Sequence, residues 1–220
     1  MSACSGGEAG QLLPLWRRLR AEHERSGLWP LIMGADDYIT DPGGDYGQDG
    51  DRQVAADLAM DAAARLGQPR AAILADLDDD DSGYELPPRG DASGLRPDGD
   101  EDGFVLAGKP GWIGLVRADA GHLVPGLLTW AGATNYGMDA ADHVAILRRW
   151  HDQYGAELVG LGRDVIELRV PNPPADHTAA LAVAEEQYWY CPDIVDQGVE
   201  TIDALAVVQV PTRRWFFWWD

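Results

Sequence analysis

The stretch ELVGLGRDVIELRV, residues 157–170, decides the fold of the C-terminal half of the chain. Apolar and charged residues alternate in its second part, VIELRV, which is the pattern of a strand with one buried and one solvent-exposed face. Glu157–Leu161 predicts a second strand, and Gly162-Arg163 predicts the turn between the two. The stretch therefore predicts a β-hairpin.

Helices are predicted on both sides of this hairpin. Asp139 can cap a helix that ends at Gly155, with apolar residues at three- and four-residue spacing. The run PNPP at 171–174 breaks the sheet, because proline cannot donate to a strand ladder. Asp176 can then cap a second helix that reaches about Tyr190.

Further strands complete the predicted sheet. Leu127–Ala131 predicts a strand before the first helix, and RWFFWWD at 214–220 predicts one after a short helix near Thr201–Val208. The order is then β-α-β-β-α-(α)-β, which is ferredoxin-like. The predicted fold class is α+β, an antiparallel sheet with helices on one face. Because so aromatic a strand is a liability at a sheet edge, we expect the terminal strand inside the sheet.

The N-terminal part predicts a helix over Leu12–Arg25, a strand over Leu28–Met33 and a helix over Arg52–Leu66, and Trp112–Val116 predicts one more strand. Residues 78–103 are rich in Asp, Gly and Pro and bury too little apolar surface to offset the entropy of ordering. The predicted organisation is an N-terminal α/β segment at 1–77, a mobile acidic loop or linker at 78–103 and a C-terminal α+β domain at 104–220.

The net charge of −20 over 220 residues limits the possible partners. Seventeen Asp and two Glu against five Arg place most of the excess within residues 36–102. This charge disfavours binding to nucleic acid and to acidic membrane surfaces, and it favours a basic protein partner.

Composition also bears on the compartment. No stretch approaches the roughly 20 apolar residues that span a bilayer, and the N-terminus does not resemble a signal peptide. The two cysteines, Cys4 and Cys191, do not form a disulfide framework, so we expect a reducing, cytoplasmic environment. Lysine occurs once, at Lys109, against sixteen arginines, which is typical of a bacterial genome rich in G and C.

Cys191 is the foremost candidate for chemistry. A nucleophilic Cys needs a base or a positive environment, and Asp193 and His151 are the candidates to share a catalytic site with it. Cys191 follows the C-terminus of its helix, where the dipole opposes a thiolate. The alternatives are a buried structural Cys191 and a turn or capping role for Asp193.

No metal site and no cofactor are predicted. The Asp78–Asp81 run places Gly83 at the sixth position of an EF-hand loop, but Arg89 falls at the twelfth, which requires Glu. His143 and His151 are eight residues apart, not the four that put two ligands on adjacent helical turns.

Tryptophan is concentrated in the C-terminal half. A large aromatic core explains this, or some of the rings line a binding groove, since Trp and Tyr dominate interface hot spots. The groove hypothesis assigns binding to Trp150, Trp189, Tyr190, Trp218 and Trp219.

Four separated motifs occur in order: LRRW at 147–150, YGAELV at 154–159, YCPD at 190–193 and WFFWWD at 215–220. In this combination they resemble the bacterial domain-of-unknown-function family 4253, over about Trp130–Asp220. GLWPL at 27–31 resembles an N-terminal element often seen with it. The resemblance implies a shared fold and no particular activity. Family members often have His where this chain has Gln187, which argues against a catalytic or metal role there.

Two functions remain open. The first is a non-catalytic acidic protein-binding protein, immunity-like or regulatory, which holds a basic partner. The charge, the Trp density and the lack of a recognisable catalytic constellation favour it. The alternative is an enzyme of unrecognised type with a site around Cys191 and Asp193, which requires a cleft at these residues.

Overall fold

The structure is a computed structural model that describes residues 2–35, 59–67 and 87–220. Six strands form one sheet in the order β1-β3-β2-β4-β5-β6. The pair β2–β4 is parallel, and the other neighbours are antiparallel. The strands are β1 (Ser2–Gly7), β2 (Leu28–Gly34), β3 (Gly111–Arg117), β4 (Glu157–Leu161), β5 (Val165–Arg169) and β6 (Arg214–Trp218).

In the described ranges the sheet is accompanied by the α-helices α1 (Leu12–Ala21), α2 (His23–Ser26), α3 (Val124–Leu127), α4 (Ala140–Tyr154), α5 (His177–Tyr190) and α6 (Ile202–Val208). Short 3-10 helices cover Gly121–Leu123 and Thr134–Tyr136, and a π-helical turn covers Ile194–Val199. Residues 62–67 are also helical. They overlap the helix predicted over Arg52–Leu66, but Met60 and Asp61 are not helical, so the prediction is not met as one continuous helix; its residues 52–58 lie outside the described ranges.

The predicted hairpin is confirmed. Strands β4 and β5 pair in antiparallel register from Glu157–Arg169 to Leu161–Ile166. The Gly162 N–H closes the turn by donating to the Val165 carbonyl at 2.8 Å. Local alternation of apolar and charged residues was enough to predict this unit.

Helix α4 begins and ends where its capping residues predict. The Asp139 carboxylate accepts hydrogen bonds from the Ala141 and Asp142 N–H groups, and the Asp142 carboxylate accepts from the Asp139 N–H. This reciprocal box satisfies N–H groups that have no partner within the helix. Gly155, with φ +69°, ends the helix in the left-handed region.

The predicted strand over Leu127–Ala131 is wrong. Leu127 ends helix α3, and Thr129 has φ +47°, which no regular strand contains. The run LLTWA is apolar without alternation, and such short runs occur in buried helices as well as in strands. The strand that precedes α4 is β3.

The mixed α+β class is confirmed, whereas the ferredoxin-like order is not. Strand β2, from the N-terminal part, lies between β3 and β4, so these two strands are not neighbours. Strands from the predicted N-terminal segment, 1–77, and from the predicted C-terminal domain, 104–220, lie in the same sheet. The division at 1–77, 78–103 and 104–220 stays a prediction.

The terminal strand lies at the sheet edge, contrary to the expectation that it lies inside. Within the described sheet β6 pairs with β5 on one side only. Its odd-numbered side chains, Trp215 and Phe217, are fully buried, while Phe216 and Trp218 are partly exposed. Alternation along β6 therefore buries the rings without a second neighbouring strand.

The sheet has a core on each face. Helices α4, α5 and α6 pack over the larger core, which contains Trp29 and Leu31 of β2. Helix α1 and residues 104–107 cover the opposite face, around Ile32 and Ile113. The C-terminal helices thus share one face, and α1 lies on the other.

Residues 87–103 contain no helix or strand and lie along α6 and the start of β6. The Pro88 carbonyl accepts from the Ile202 N–H at 3.0 Å, and the Asp98 N–H donates to the Val208 carbonyl at 2.9 Å. The Arg89 guanidinium forms two hydrogen bonds to the Asp203 carboxylate. The Asp78–Asp81 run of the predicted loop lies outside the described residues.

Glu167 of β5 is fully buried, although alternation predicts it on the solvent-exposed face. Its carboxylate accepts hydrogen bonds from the Val105 N–H at 2.6 Å and the Leu106 N–H at 2.9 Å. Burial raises the pKa of Glu167, and these two backbone bonds oppose the shift. Glu167 thereby attaches residues 104–107 to the sheet.

We expect Glu167→Gln to lower the free energy of unfolding by about 2 kcal/mol, since an amide can accept only one of the two N–H bonds and directs its own N–H₂ at the other. Urea denaturation at pH 7 measures this change. Glu24→Gln makes the same chemical change at an exposed position and is the control. Equal stability of the two variants would contradict the role assigned to Glu167.

Candidate functional site

The outer edge of β6 brings together Cys191 and Asp193, two of the three residues for which the sequence predicts chemistry. Backbone N–H and C=O groups on this side of the strand have no neighbouring strand in the described sheet, yet buried backbone polar groups need partners. Side chains from residues 191–212 supply them. We call this set of contacts the β6 edge row; it comprises Cys191, Asp193, Gln209 and Thr212.

The first half of the β6 edge row involves Thr212 and Gln209. The Thr212 Oγ1 lies 2.6 Å from the Arg214 carbonyl oxygen and 3.3 Å from the Arg214 nitrogen. The Gln209 Oε1 accepts from the Phe216 N–H at 3.1 Å. The Gln209 side chain is itself positioned by Gln187, whose Oε1 accepts from Gln209 Nε2 at 3.1 Å. Gln187 therefore has a structural contact in this chain.

The second half involves Cys191 and Asp193. The Cys191 thiol donates to the Trp218 carbonyl at 2.8 Å, and the Asp193 Oδ2 accepts from the Asp220 N–H at 2.9 Å. Together with the first half, these contacts satisfy alternate residues of β6 and its extension. The row supplies part of the hydrogen bonds that another strand would make.

Cys191 is placed as a hydrogen-bond donor, in surroundings that oppose a nucleophile. Its side chain is fully buried, and none of the described cavities is lined by it. Burial raises the pKa of the Cys191 thiol far above its ordinary value, and the negative charge of Asp193 adds to this. Thiolate chemistry needs the opposite shift.

Asp193 accepts three hydrogen bonds. Besides the Asp220 N–H, the Tyr136 hydroxyl donates to Oδ2 at 2.5 Å, and the Gln197 Nε2 donates to Oδ1 at 3.1 Å. Burial and the bond to Asp193 raise the pKa of Tyr136. A carboxylate with three donors is a structural acceptor that joins Tyr136 and the π-helical turn to the C-terminal residues.

The aromatic residues predicted for binding divide into two groups. Trp150, Tyr190 and Trp219 are buried, and Trp150 stacks on Phe217 with the ring centroids 5.3 Å apart. Trp189 and Trp218 are partly exposed. In this structure the first three rings form the aromatic core, so contact with a partner is open only to the other two.

The residues of the β6 edge row fall within a known protein family. Residues 112–220 match the model of a domain of unknown function, DUF4253. The C-terminal half of the chain belongs to the DUF4253 family. No curated protein and no solved structure matches the chain. Two of the motifs of the DUF4253 domain, YCPD and WFFWWD, face each other across the β6 edge row.

His151, the third catalytic candidate, lies elsewhere in the DUF4253 domain. It lines a cavity beside α2 and β2, three strands from β6 in the sheet order. Its Nδ1 lies 3.0 Å from the Ala156 carbonyl oxygen, and its ring lies 5.3 Å from the ring of His122. The structure therefore brings Cys191 and Asp193 together at one edge, without His151.

His143, considered above only as a possible metal ligand, is fully buried. Its Nδ1 lies 2.7 Å from the Tyr190 hydroxyl, and its ring packs edge-on against Trp130 at 4.6 Å. Burial, together with the positive charge of Arg65, lowers the pKa of His143 to about 3. The position of His143 on the apolar face of α4 is the one sequence feature that indicates burial.

The sequence also does not predict a charged cleft that lies on the α1 side of the sheet. Four arginines and three acidic residues line this cavity of about 530 Å³, which we call the arginine cleft. The set comprises Arg17, Arg20, Arg169, Arg213, Glu101, Asp102 and Glu157. These residues come from α1, residues 101–104, β4, β5 and the start of β6, so no local pattern connects them.

Two further findings concern metals and membranes. In the ranges that the structure describes, no three His, Cys, Asp or Glu side chains are grouped closely enough to hold a metal ion. No helix among the described residues has the length and apolar character to cross a membrane.

Cys191 is expected to resist thiol reagents in the native protein, because it is buried and its pKa is raised. In a Cys4→Ser background, labelling of the native protein should be at least a hundredfold slower than labelling of the urea-unfolded protein at every pH between 6 and 9. Rapid labelling under native conditions with an apparent pKa below about 8.5 would contradict this. The unfolded protein in urea is the positive control.

Stability is expected to fall as the pH drops from about 6.5 towards 4. His143 binds a proton near pH 6.5 when unfolded and near pH 3 when folded, so the unfolded state gains protons first. At pH 4 the protonation of His143 in the unfolded state should have lowered the free energy of unfolding by about 3 kcal/mol. Urea denaturation across this range measures the slope.

The variant His143→Gln keeps a side-chain partner for the Tyr190 hydroxyl and removes the titrating group. Its free energy of unfolding should therefore vary less with pH than that of the wild type, whatever its absolute value. His177→Gln, at an exposed position, is the matched control. Identical pH slopes for wild type and His143→Gln would show that His143 is not responsible.

Proposed function

We propose that this protein is a cytoplasmic, non-catalytic binding protein, immunity-like or regulatory, that holds a basic protein partner. One observation supports it most: Cys191 and Asp193, the residues best suited to chemistry, are used as hydrogen-bond partners of β6. The net charge of −20 then remains as the dominant chemical feature of the chain. A charge of this size steers a basic partner towards the protein.

The described part of the acidic region presents its carboxylates on a fixed backbone. Residues 91–102 contain five acidic residues and one basic residue, Arg96, and all six side chains are exposed. The flanking Arg89–Asp203 pair and the Arg214–Asp98 pair hold this segment against α6 and β6. Fixed carboxylates lose less conformational entropy on binding than carboxylates on a free chain.

Asp91 and Asp100 are the acidic residues of this segment most available to a partner. Neither forms a described ion pair with an arginine. Hydrogen bonds from Ser93 lower the pKa of Asp91, so it is ionised at neutral pH. Asp100 accepts from the Asp102 N–H at 3.2 Å. Both charges therefore face solvent in defined positions.

The enzyme alternative lacks a corresponding observation. An active site needs a cleft that admits a substrate to its reacting groups. Each of the described cavities is lined by residues other than Cys191 and Asp193. The binding function is therefore the better supported of the two.

The experiment has two stages. The full chain is immobilised, and proteins are applied to it at about 50 mM salt. Those that the chain retains are identified by cross-linking and mass spectrometry. We expect a retained protein that is basic and is released as salt rises, since surface charges are screened over about 10 Å at 0.1 M.

The association rate of that protein is then measured with Asp91→Asn/Asp100→Asn. We expect at least a threefold slower association, because rim charges act mainly on the on-rate. Glu8→Gln/Glu24→Gln removes two exposed charges elsewhere and is the matched control. Retained proteins that are not basic, or association that is insensitive to salt, would refute the proposed function.

A further inference from the structure

The arginine cleft differs in charge from the rest of the molecule. Its four arginines outnumber its three acidic residues, so its formal charge is positive in a chain of net charge −20. The other described cavities have at least as many acidic residues as arginines in their linings. A positive cavity in an acidic protein attracts a ligand of opposite sign to the proposed partner.

The cationic groups are held in place before any ligand binds. The Glu157 carboxylate, which is mostly buried, accepts from Arg20 Nη2 at 2.7 Å and from Arg169 Nη1 at 2.8 Å. Arg20 also lies 4.4 Å above the ring of Trp29. Glu157 thus fixes two guanidinium groups through one bond to each, and pre-organised donors bind with less entropy loss.

Several of the arginine N–H groups are still available. In the described part of the chain, the Arg169 guanidinium has Glu157 as its one hydrogen-bond partner. The Arg213 Nε lies 3.9 Å from the Glu101 carboxylate, which is too long for a hydrogen bond. The buried Arg20 Nε has no hydrogen-bond partner among the described residues. Because Arg20 Nε is buried, the donors that remain accessible to a ligand are those of Arg169 and Arg213.

Arg169 and Arg213 lie side by side at the same end of two paired strands. The Val170 N–H, next to Arg169, donates to the Arg213 carbonyl at 2.8 Å. Both side chains are about half exposed and line the same cleft. Two guanidinium groups that line one cleft can together bind the oxygens of a carboxylate or phosphate.

The remainder of the cleft accommodates more than an inorganic ion. Its inner wall includes the apolar side chains of Leu13, Trp16 and Phe104. A volume of about 530 Å³ lies in the range of small-molecule sites. A ligand with an anionic group and an apolar body would fill both parts.

We propose that the arginine cleft is a binding site for a small organic anion, whose carboxylate or phosphate group is held by Arg169 and Arg213. The cleft shares Glu101 and Asp102 with the acidic segment 91–102 but not Asp91 and Asp100, the two residues assigned to the protein partner, and it takes a ligand of opposite charge to that partner. The inference is therefore independent of the proposed function.

Isothermal titration of the full chain with phenyl phosphate and with benzoate tests the site, with benzyl alcohol as the uncharged analogue. At least one anion is expected to bind at one site, at least tenfold more tightly than benzyl alcohol. Tighter binding of phenyl phosphate indicates a phosphate ester as the natural ligand, and tighter binding of benzoate indicates a carboxylate. Binding of neither anion above the level of benzyl alcohol overturns the proposal.

Variants locate the binding. The variant Arg169→Gln/Arg213→Gln should lower the affinity for the anion at least tenfold. The control Arg18→Gln/Arg96→Gln removes two exposed charges outside the cleft and should change the affinity less than twofold. Arg213→Gln alone, which breaks no described side-chain hydrogen bond, should weaken binding at least threefold with an unchanged melting temperature. Equal loss in the two double variants would assign the effect to net charge and overturn the site.

Discussion

The open side of β6 is the constraint on which the C-terminal half depends. A strand with a single neighbour leaves every second residue with unpaired backbone groups. Here Cys191, Asp193, Gln209 and Thr212 supply partners along that side. The chain between α5 and β6 must therefore pass close to the strand, which explains why it is a sequence of short turns and helices. It also explains why a Cys and an Asp occur together after α5, since both supply hydrogen-bond partners on this side.

The same strand organises the aromatic core. Trp215 and Phe217 point inward and pack against Trp150 and Tyr190, with ring centroids between 5.1 and 5.5 Å apart in the three pairs Trp150–Trp215, Trp150–Phe217 and Tyr190–Phe217. Fixing the outer side by hydrogen bonds and the inner side by ring contacts leaves β6 little freedom to shift in register. The density of Trp in this half of the sequence follows from the core that these rings build, and only a minority of the rings reach the surface.

Local sequence patterns predict the local parts of this fold well. The hairpin of β4 and β5, the capped helices α4 and α5, and strands β2 and β3 all follow from alternation, spacing and capping residues. Apart from residues 127–131, where an apolar run without alternation is predicted as a strand, the errors concern contacts between distant residues. Nothing local indicates that Glu167 accepts from Val105 and Leu106, or that β6 lies at an edge. The candidate site divides likewise: Cys191 and Asp193 stand out by residue type, but their partners and the arginine cleft depend on residues far apart in the chain.

The position of β2 has a consequence for biosynthesis. Ile32 of β2 pairs with Gly160 of β4. More than half of the chain is therefore synthesised between β2 and its second neighbour. Until β4 is made, β2 exposes one hydrogen-bonding flank to other nascent chains. A sheet assembled in this way has many contacts between distant residues, which is associated with slow folding. Newly made molecules would therefore depend on the speed of translation and on chaperones more than the small size of the protein suggests.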